Sequence, residues 1–222
     1  MDPVIYKYHQ PFTLESGISL PKLKIAYHYY GEYTPGKKVA WVCHALTANS
    51  DVADWWKGIV GEDAIINPND YFIVCANIIG SCYGSTGPLS VDDLDASTRF
   101  DQFPNITIRD MVKAHILLRT HLGIESIDLL LGGSMGGYQA LEWCVMEGEV
   151  IENLFLLATS ARREIKSAVG SSVDDKVAIT PIRVPIATAL SAIGWSTLST
   201  GISTKCSESS TAGPIDEQVT NT

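Results

Sequence analysis

The chain has 222 residues, of which 45% are hydrophobic and 18% are charged, a balance typical of a folded domain with a sizeable core. Its formal net charge of −9 argues against non-specific binding to nucleic acids or anionic membranes, because both require basic surfaces. The first residues lack the basic-then-apolar pattern of a secretory signal, and no apolar run reaches the roughly 20 residues of a membrane span. The sequence therefore predicts neither a signal peptide nor a membrane anchor.

The cysteines favour free thiols over a disulfide framework. They are odd in number, they lack the paired spacing of zinc ligands, and three of them lie in apolar runs; the five are Cys43, Cys75, Cys82, Cys144 and Cys206. Reduced and mostly buried thiols are typical of cytoplasmic proteins. We therefore expect a cytoplasmic protein, and no metal site is predicted.

Three strands are predicted in the first third of the chain. Residues 22–31 alternate between apolar and polar side chains, residues 38–44 form a short apolar run, and residues 70–80 are rich in β-branched side chains. Continuous apolar strands of this kind are typical of a sheet that is buried on both faces.

A helix, a strand, a second helix and a second strand are predicted next. Residues 107–124 have apolar positions at helical spacing, with Thr107 as a possible N-cap and Gly123 near the end. The strand 126–133, the helix 135–147 and the strand 150–161 follow. Strands separated by helices predict an α/β fold with a mostly parallel sheet and helices on both faces.

The composition changes after Arg162. Residues 163–222 contain eighteen serines and threonines and no phenylalanine or tyrosine, which is typical of poor order. We therefore expect two regions, an α/β region over residues 1–162 and an atypical tail over residues 163–222. On this prediction the sheet ends at the strand within residues 150–161, which is left as an open edge.

The sequence Gly132-Gly133-Ser134-Met135-Gly136 satisfies the pattern G-x-S-x-G between a predicted strand and a predicted helix. A serine on so sharp a turn needs small neighbours, and its hydroxyl then stands clear at the carboxyl edge of the sheet. The N–H of Met135 opens a helix, where the partial positive charge suits a developing oxyanion. Ser134 is the predicted nucleophile; the alternative is a glycine-rich turn needed only for close packing.

A second oxyanion donor is predicted in the turn after the strand 38–44. Residues 44–47, His-Ala-Leu-Thr, form this turn, and the backbone N–H of Leu46 would complete the oxyanion hole. His44 is interpreted as a side chain that braces the turn rather than as a general base.

Four separated segments together resemble the homoserine O-acetyltransferase family of α/β-hydrolase-fold enzymes. They are HALTANSDVADWW, CANIIGSCYGSTGP, ITIRDMVKAHILLRTHLGI and LLLGGSMGGYQALEW. The resemblance runs in order from about residue 20 to residue 162. Four blocks in the same order are far more specific than G-x-S-x-G alone.

The resemblance implies acetyl transfer from acetyl-CoA, a co-substrate, to the hydroxyl of L-homoserine on the route to methionine. The reaction would pass through an acetyl-serine at Ser134, with the amides of Leu46 and Met135 holding the oxyanion. A further loop, with Asn77, Tyr83, Gly84 and Ser85, would lie beside the acyl tunnel and contact substrate. The alternative for this loop is a simple turn rich in glycine and serine, and we expect its Cys82 to be packed rather than catalytic. Such enzymes commonly form homodimers through a helical lid.

The sequence does not show the acidic residue and the histidine that a nucleophilic serine of this fold needs. In this fold an acidic residue and a histidine follow the serine, whereas all five histidines precede Ser134: His9, His28, His44, His115 and His121. Asp174, Asp175 and Asp216 follow it without a convincing strand. His115 and His121 are interpreted as packing or surface residues.

We therefore expect impaired turnover in a shortened fold that lacks its late strands and lid. The cause is left open between a frame-altered form of a longer enzyme and a diverged member of the family. Two functional alternatives also remain: another acyl-CoA acyltransferase or esterase of the same fold, and a noncatalytic fragment.

Overall fold

The structure, a computed structural model, describes residues 1–90 and 94–159, together with the backbone of residues 179–180. Most of its strands form one seven-stranded sheet in the order β1-β4-β6-β5-β7-β8-β9, and β2 and β3 form a separate small hairpin. The strands are β1 (Val4–Tyr8), β2 (Phe12–Thr13), β3 (Ser19–Leu20), β4 (Leu23–Tyr30), β5 (Lys38–Cys43), β6 (Tyr71–Ala76), β7 (Leu129–Gly133), β8 (Leu154–Leu157) and β9 (Ile179–Thr180).

The four central strands β6, β5, β7 and β8 run parallel, and the outer strands pair antiparallel. In the register of β5 and β7, Cys43 lies opposite Gly132. The carboxyl ends of these two strands therefore meet at one edge of the sheet. The loop after β5 and the turn after β7 leave the sheet side by side, which is the usual place for a site in a parallel sheet.

Helices cover both faces of the sheet, as predicted. They are α1 (Val52–Trp55), α2 (Ile108–His121) and α3 (Met135–Glu147), with short 3₁₀ turns at Phe100–Gln102 and Gly148–Val150. The larger core lies between the sheet and the α2–α3 pair and includes the fully buried Trp41 and Trp143. The smaller core lies on the opposite face, where Val52 of α1 packs with Val42 and Leu131.

The predicted elements of the central sheet are confirmed, with α3 matching its predicted bounds and the others shorter by one to eight residues. α2 begins after its N-cap Thr107 and ends at His121, and Gly123 follows with a φ of 68°. The sequence analysis missed β1, β2, β3 and α1. β1 is an outer strand with mostly exposed side chains, and its five residues do not alternate regularly between apolar and polar.

The expectation that β8 forms an open edge is wrong. Ile179–Thr180 pairs antiparallel with β8, with Leu156 opposite Thr180 and Leu157 opposite Ile179. The free N–H and C=O groups on the outer side of β8 are the physical reason, since they pair readily with any extended segment. The remaining residues of the atypical tail lie outside the described residues, and the division at residue 162 stays a prediction.

Three thiols lie in the interior, as predicted. Cys43, Cys75 and Cys144 are buried and free, and burial raises the pKa of each; for Cys144 it reaches about 12. Cys82 was expected to pack, but its side chain is exposed because residues 82–84 of the loop after β6 lie at the surface. Cys206 lies outside the described residues. None of the helices in the described ranges is long and apolar enough to cross a membrane.

Candidate active site

Ser134 lies on the turn between β7 and α3 in a strained backbone conformation. Its φ is 52° and its ψ is −119°, a region that residues with a Cβ atom rarely occupy. The amide of Ser134 donates to the carbonyl oxygen of Leu157 at 2.9 Å, and the hydroxyl of Thr159 donates to the carbonyl oxygen of Ser134 at 2.9 Å. The turn is therefore held from the end of β8, while the side chain of Ser134 stays exposed.

Two glycines of the motif are required by close backbone contacts. A Cβ atom on Gly132 would overlap the carbonyl oxygen of Gly136, and one on Gly136 would overlap the carbonyl oxygen of Cys43. The first turn of α3 therefore rests directly on the ends of β5 and β7. This contact explains why the motif has glycine two residues before and two residues after the serine.

The N-terminus of α3 is left open toward the serine. The Ser134 side chain makes no capping hydrogen bond, and in the described part of the chain the amide of Met135 has no acceptor. The thirteen residues of α3 add their peptide dipoles, which concentrate partial positive charge at this end. An uncapped amide beside an exposed hydroxyl is the arrangement that an oxyanion hole needs.

Leu46 lies in the turn that follows β5. The amide of Ala48 donates to the carbonyl oxygen of Ala45 at 3.1 Å, and this bond places Leu46 at the tip of the turn, with 67% of the residue exposed. No acceptor for the Leu46 amide occurs among the described residues. Because Cys43 lies opposite Gly132 in the sheet, the turn leaves the sheet next to the serine.

His44 braces this turn, as expected. Its Nδ1 donates to the carbonyl oxygen of Ala45 at 2.7 Å, so the ring's Nε2 is free to accept from the amide of Ile78 at 3.2 Å. The ring is fully buried, and this burial lowers the pKa of His44 below its usual value, which the Ala45 hydrogen bond opposes. A neutral imidazole with both nitrogens engaged cannot serve as the base.

The loop after β6 is fixed by buried polar side chains. Asn77 accepts from the amide of Ser50 at 2.7 Å and donates to the carbonyl oxygen of Tyr83 at 2.7 Å. Ser85 donates to the carbonyl oxygen of Asn77 at 2.6 Å and accepts from the amide of Ala26 at 3.0 Å. The Asn77 and Ser85 side chains are therefore occupied in holding the loop against β4.

The exposed part of the same loop is formed by Tyr83 and its neighbour. Tyr83 presents its ring to solvent, and Gly84 has a φ of 92° and packs against Ala26. Of the four residues predicted to contact substrate, Tyr83 is the one whose side chain is available in the described residues. The substrate-binding role of this loop stays a prediction.

The arrangement of strand, strained serine and helix has a family counterpart. A family model described as alpha/beta hydrolase fold matches residues 42–178, which is more than half of the chain. The chain belongs to the alpha/beta hydrolase fold family.

Within this family the chain is similar to homoserine O-acetyltransferases, which confirms the predicted resemblance. The homoserine O-acetyltransferase of Cyclobacterium marinum is 44% identical over 163 residues, which cover 73% of this chain and 46% of that protein. The chain spans about half the length of the curated relatives it matches.

Solved structures of the family support the same fold. A homoserine O-acetyltransferase from Staphylococcus aureus has a TM-score of 0.62 and 29% identity, covering 73% of this chain and 48% of that one. The acetyl esterase MekB has a TM-score of 0.66 and 28% identity, covering 74% of this chain and 46% of that one.

A nucleophilic serine at position 134 would need a neighbouring base. Over residues 1–90 and 94–159, no side chain hydrogen-bonds to the Ser134 hydroxyl. His28, His44 and His115 are buried with partners of their own, and His9 and His121 are exposed. Asp174, Asp175 and Asp216 lie outside the described residues.

The sequence analysis missed one buried polar residue close to the turn that carries Ser134. Gln139 on α3 is fully buried, and its amide contacts both His44 and His115. The sequence carries a weak signal for it, because Gln139 lies one turn after Gly136 among apolar residues. Only the packing of α2 on α3 reveals its partners.

Proposed function

We propose that this chain carries the nucleophile and oxyanion-hole part of an acyltransferase site that moves an acetyl group from acetyl-CoA to the hydroxyl of L-homoserine. The observation that carries the proposal is the strained, exposed Ser134 beside the unpaired amide of Met135. The identity of 44% to a homoserine O-acetyltransferase supports the choice of donor and acceptor.

The chemistry takes place in two steps. The Oγ atom of Ser134 attacks the thioester carbonyl, the C–S bond breaks, and the thiol of CoA leaves with a proton. The hydroxyl of L-homoserine then attacks the acetyl-serine, and the O-acetyl product leaves as the serine regains its proton. In both steps the amides of Leu46 and Met135 donate to the negative oxygen of the tetrahedral intermediate, and each such donor contributes about 10²–10³ in rate.

The proton acceptor is the part of the site that the described residues do not supply. A serine hydroxyl is a weak nucleophile without a neighbouring base, so the chain alone is expected to form the acetyl-serine slowly. Imidazole added to the buffer can take this proton from an exposed hydroxyl. The proposal therefore predicts rescue by imidazole, since on this proposal only the base is missing.

The experiment is acetylation by isotopically labelled acetyl-CoA with and without imidazole, followed by peptide mass spectrometry. We expect label on the peptide that contains Ser134, an increase with imidazole, and none in Ser134→Ala. Release of the label by L-homoserine, with O-acetylhomoserine as product, identifies the acceptor. A folded chain that gains no label on Ser134 in the presence of imidazole contradicts the proposal and leaves a noncatalytic fragment.

A second candidate function is hydrolysis of acetyl esters, which the likeness to the acetyl esterase MekB favours. The two functions share the acetyl-serine and differ in what removes the acetyl group. Label released into acetate at the same rate with and without L-homoserine supports the esterase. A parallel reaction with succinyl-CoA tests the acyl donor. The cytoplasmic location and the homodimer stay predictions, resting on the thiols and on the family resemblance.

A further inference from the structure

A buried polar connection runs beneath the nucleophile turn from α2 through α3 to the loop after β5. Its centre is Gln139, whose side chain has no exposed surface in an otherwise apolar core. A buried amide is costly unless both of its ends are hydrogen-bonded. The nitrogen of this amide is bonded to His44 and its oxygen to His115, and His44 belongs to the turn that contains Leu46.

The nitrogen end of Gln139 holds the loop of the proposed oxyanion donor. Its Nε2 donates to the carbonyl oxygen of His44 at 3.3 Å. The ring of the same histidine is fixed by Ala45 and Ile78. His44 is thus held at both its side chain and its carbonyl, two residues before the amide of Leu46.

The oxygen end of Gln139 is fixed by His115 of α2. The Nε2 of His115 lies 3.0 Å from Oε1 of Gln139, and because a carbonyl oxygen only accepts, this nitrogen carries the proton. This bond fixes the orientation of the Gln139 amide, because Oε1 must then face His115 and Nε2 must face the carbonyl oxygen of His44. The ring of His115 is itself stacked on Trp143, with 5.6 Å between ring centroids, and edge-on to Trp41.

The same helix turn also contains the backbone contact with β5. Gly136, one turn before Gln139, rests on the carbonyl oxygen of Cys43. α3 therefore touches the end of β5 at two consecutive residues, by close packing at Cys43 and by a hydrogen bond at His44. The packing sets the distance between the nucleophile helix and the loop, and the hydrogen bond sets the rotation of the peptide that leads to Leu46.

We propose that Gln139, oriented by His115, is a positioning residue that aligns the Leu46 amide with Ser134. The inference rests on the proposed function for its catalytic consequence, whereas the alignment of the turn at Ala45–Ala48 can be measured without catalysis. Gln139 does not touch the reacting atoms; it acts through the carbonyl of His44.

The test uses the full chain with two substitutions at Gln139. Gln139→Met keeps the length of the side chain and removes both hydrogen bonds, and Gln139→Glu keeps the acceptor for His115 and removes the donor to His44. Leu118→Ala is the matched control, because Leu118 is fully buried on α2 one turn from His115 and is not among the residues that hydrogen-bond to the loop. Thermal melts first establish that each variant folds.

The first readout is hydrogen exchange of the Ala48 amide, which is bonded to Ala45 within the turn. We expect at least about tenfold faster exchange at Ala48 in both Gln139 variants and unchanged exchange in Leu118→Ala. The second readout is imidazole-assisted acetylation of Ser134. Its rate at saturating acetyl-CoA should fall about 10–100-fold with the half-saturating concentration unchanged, because the oxyanion contact forms only in the transition state.

The outcomes separate the two proposals. Unchanged Ala48 exchange in a folded Gln139→Glu or Gln139→Met variant overturns the positioning role, whatever the acetylation rate. Equal losses of acetylation in Leu118→Ala and the Gln139 variants also overturn it, because general loosening of the core would then suffice. If the natural chain is never acetylated, the proposed function fails, and faster exchange at Ala48 still supports the positioning of the turn.

Discussion

The first backbone N–H groups of a helix have no acceptor within the helix, and α2 and α3 treat these groups in opposite ways. Thr107 caps α2 from extended backbone: its hydroxyl oxygen accepts from the amide of Asp110 at 3.2 Å, and its own amide donates to the Asp110 carboxylate at 3.1 Å. Ser134 begins α3 from a strained φ of 52° and caps nothing. One helix start is closed by its own side chains, and the other is left open beside a hydroxyl.

The hydroxyl of Thr107 therefore stabilises the start of a helix, whereas the hydroxyl of Ser134 does not. At α2 the carboxylate of Asp110 also accepts from the amide of Glu15 at 2.7 Å, so the capped end ties the N-terminal hairpin region to the helix. At α3 the turn is held instead by backbone contacts and by residues at the end of β8. The residues around Ser134 stabilise the turn, and the hydroxyl of Ser134 is left without a structural role.

The largest expected effect comes from breaking the backbone contact that supports the open end. Gly136→Ala forces a Cβ atom into the carbonyl oxygen of Cys43, and we expect a loss of about 4 kcal/mol or more in the free energy of unfolding. Gly133→Ala is the control, because its nearest neighbour would be Trp56 at an ordinary 3.9 Å. Urea unfolding of the two variants measures the difference, and equal losses would contradict the role of Gly136.

Removing the cap at the N-terminus of α2 should lower the free energy of unfolding by a smaller amount. Asp110→Ala leaves the amides of Glu15 and Thr107 without their acceptor, and we expect a loss of about 3 kcal/mol. Acetylation of Ser134 should be unaffected at temperatures where the variant is folded. Denaturant midpoints and acetylation rates measured on the same sample provide the check; a stability loss confined to a few tenths of a kcal/mol would refute the capping role.

Acidification should weaken the contact between the two helices. Burial lowers the pKa of His115 from 6.5 to about 4, an effect that the nearby His44 adds to and the Gln139 hydrogen bond opposes. Because the folded pKa lies below the unfolded one, the unfolded chain binds the extra proton, and stability is lost as the pH falls from 6.5 toward 4. Between pH 7 and pH 5 this amounts to about 2 kcal/mol.

The control for this pH dependence is His115→Phe, which keeps an aromatic ring between Trp41 and Trp143. Its free energy of unfolding should fall less steeply over the same pH range, even though its value at neutral pH is lower. A pH dependence identical to that of the natural chain would assign the effect to other groups.

The smallest expected effect comes from relieving the strain at the open end. Ser134→Gly and Ser134→Ala both remove the hydroxyl, but only glycine tolerates a φ of 52° without a Cβ penalty. We expect Ser134→Gly to be about 1 kcal/mol more stable than Ser134→Ala. Equal denaturation midpoints for the pair would mean that the turn is not strained.

The open end of α3 was easier to predict than the interactions that support it. G-x-S-x-G and the strand and helix around it are local patterns, and Thr107 is recognisable as a cap because its role depends on the next three residues. The long-range contacts of Gln139 with His44 and of Asp110 with Glu15 escaped prediction, because the two residues in each pair are 95 positions apart in sequence. The outer strand β1 was also missed, and it is recognised as a strand by its pairing with β4.

The distribution of thiols gives the molecule a set of internal reporters. Cys43, Cys75 and Cys144 lie on β5, β6 and α3, respectively, and are shielded from solvent, whereas Cys82 is accessible from outside. Among these four thiols, an alkylating reagent should therefore modify Cys82 first, and the delay before each of the three buried thiols reacts records how often its own element opens. Local opening of β5 and α3, which flank Ser134, can in this way be measured through Cys43 and Cys144, separately from opening of β6 at Cys75 and without adding a new cysteine.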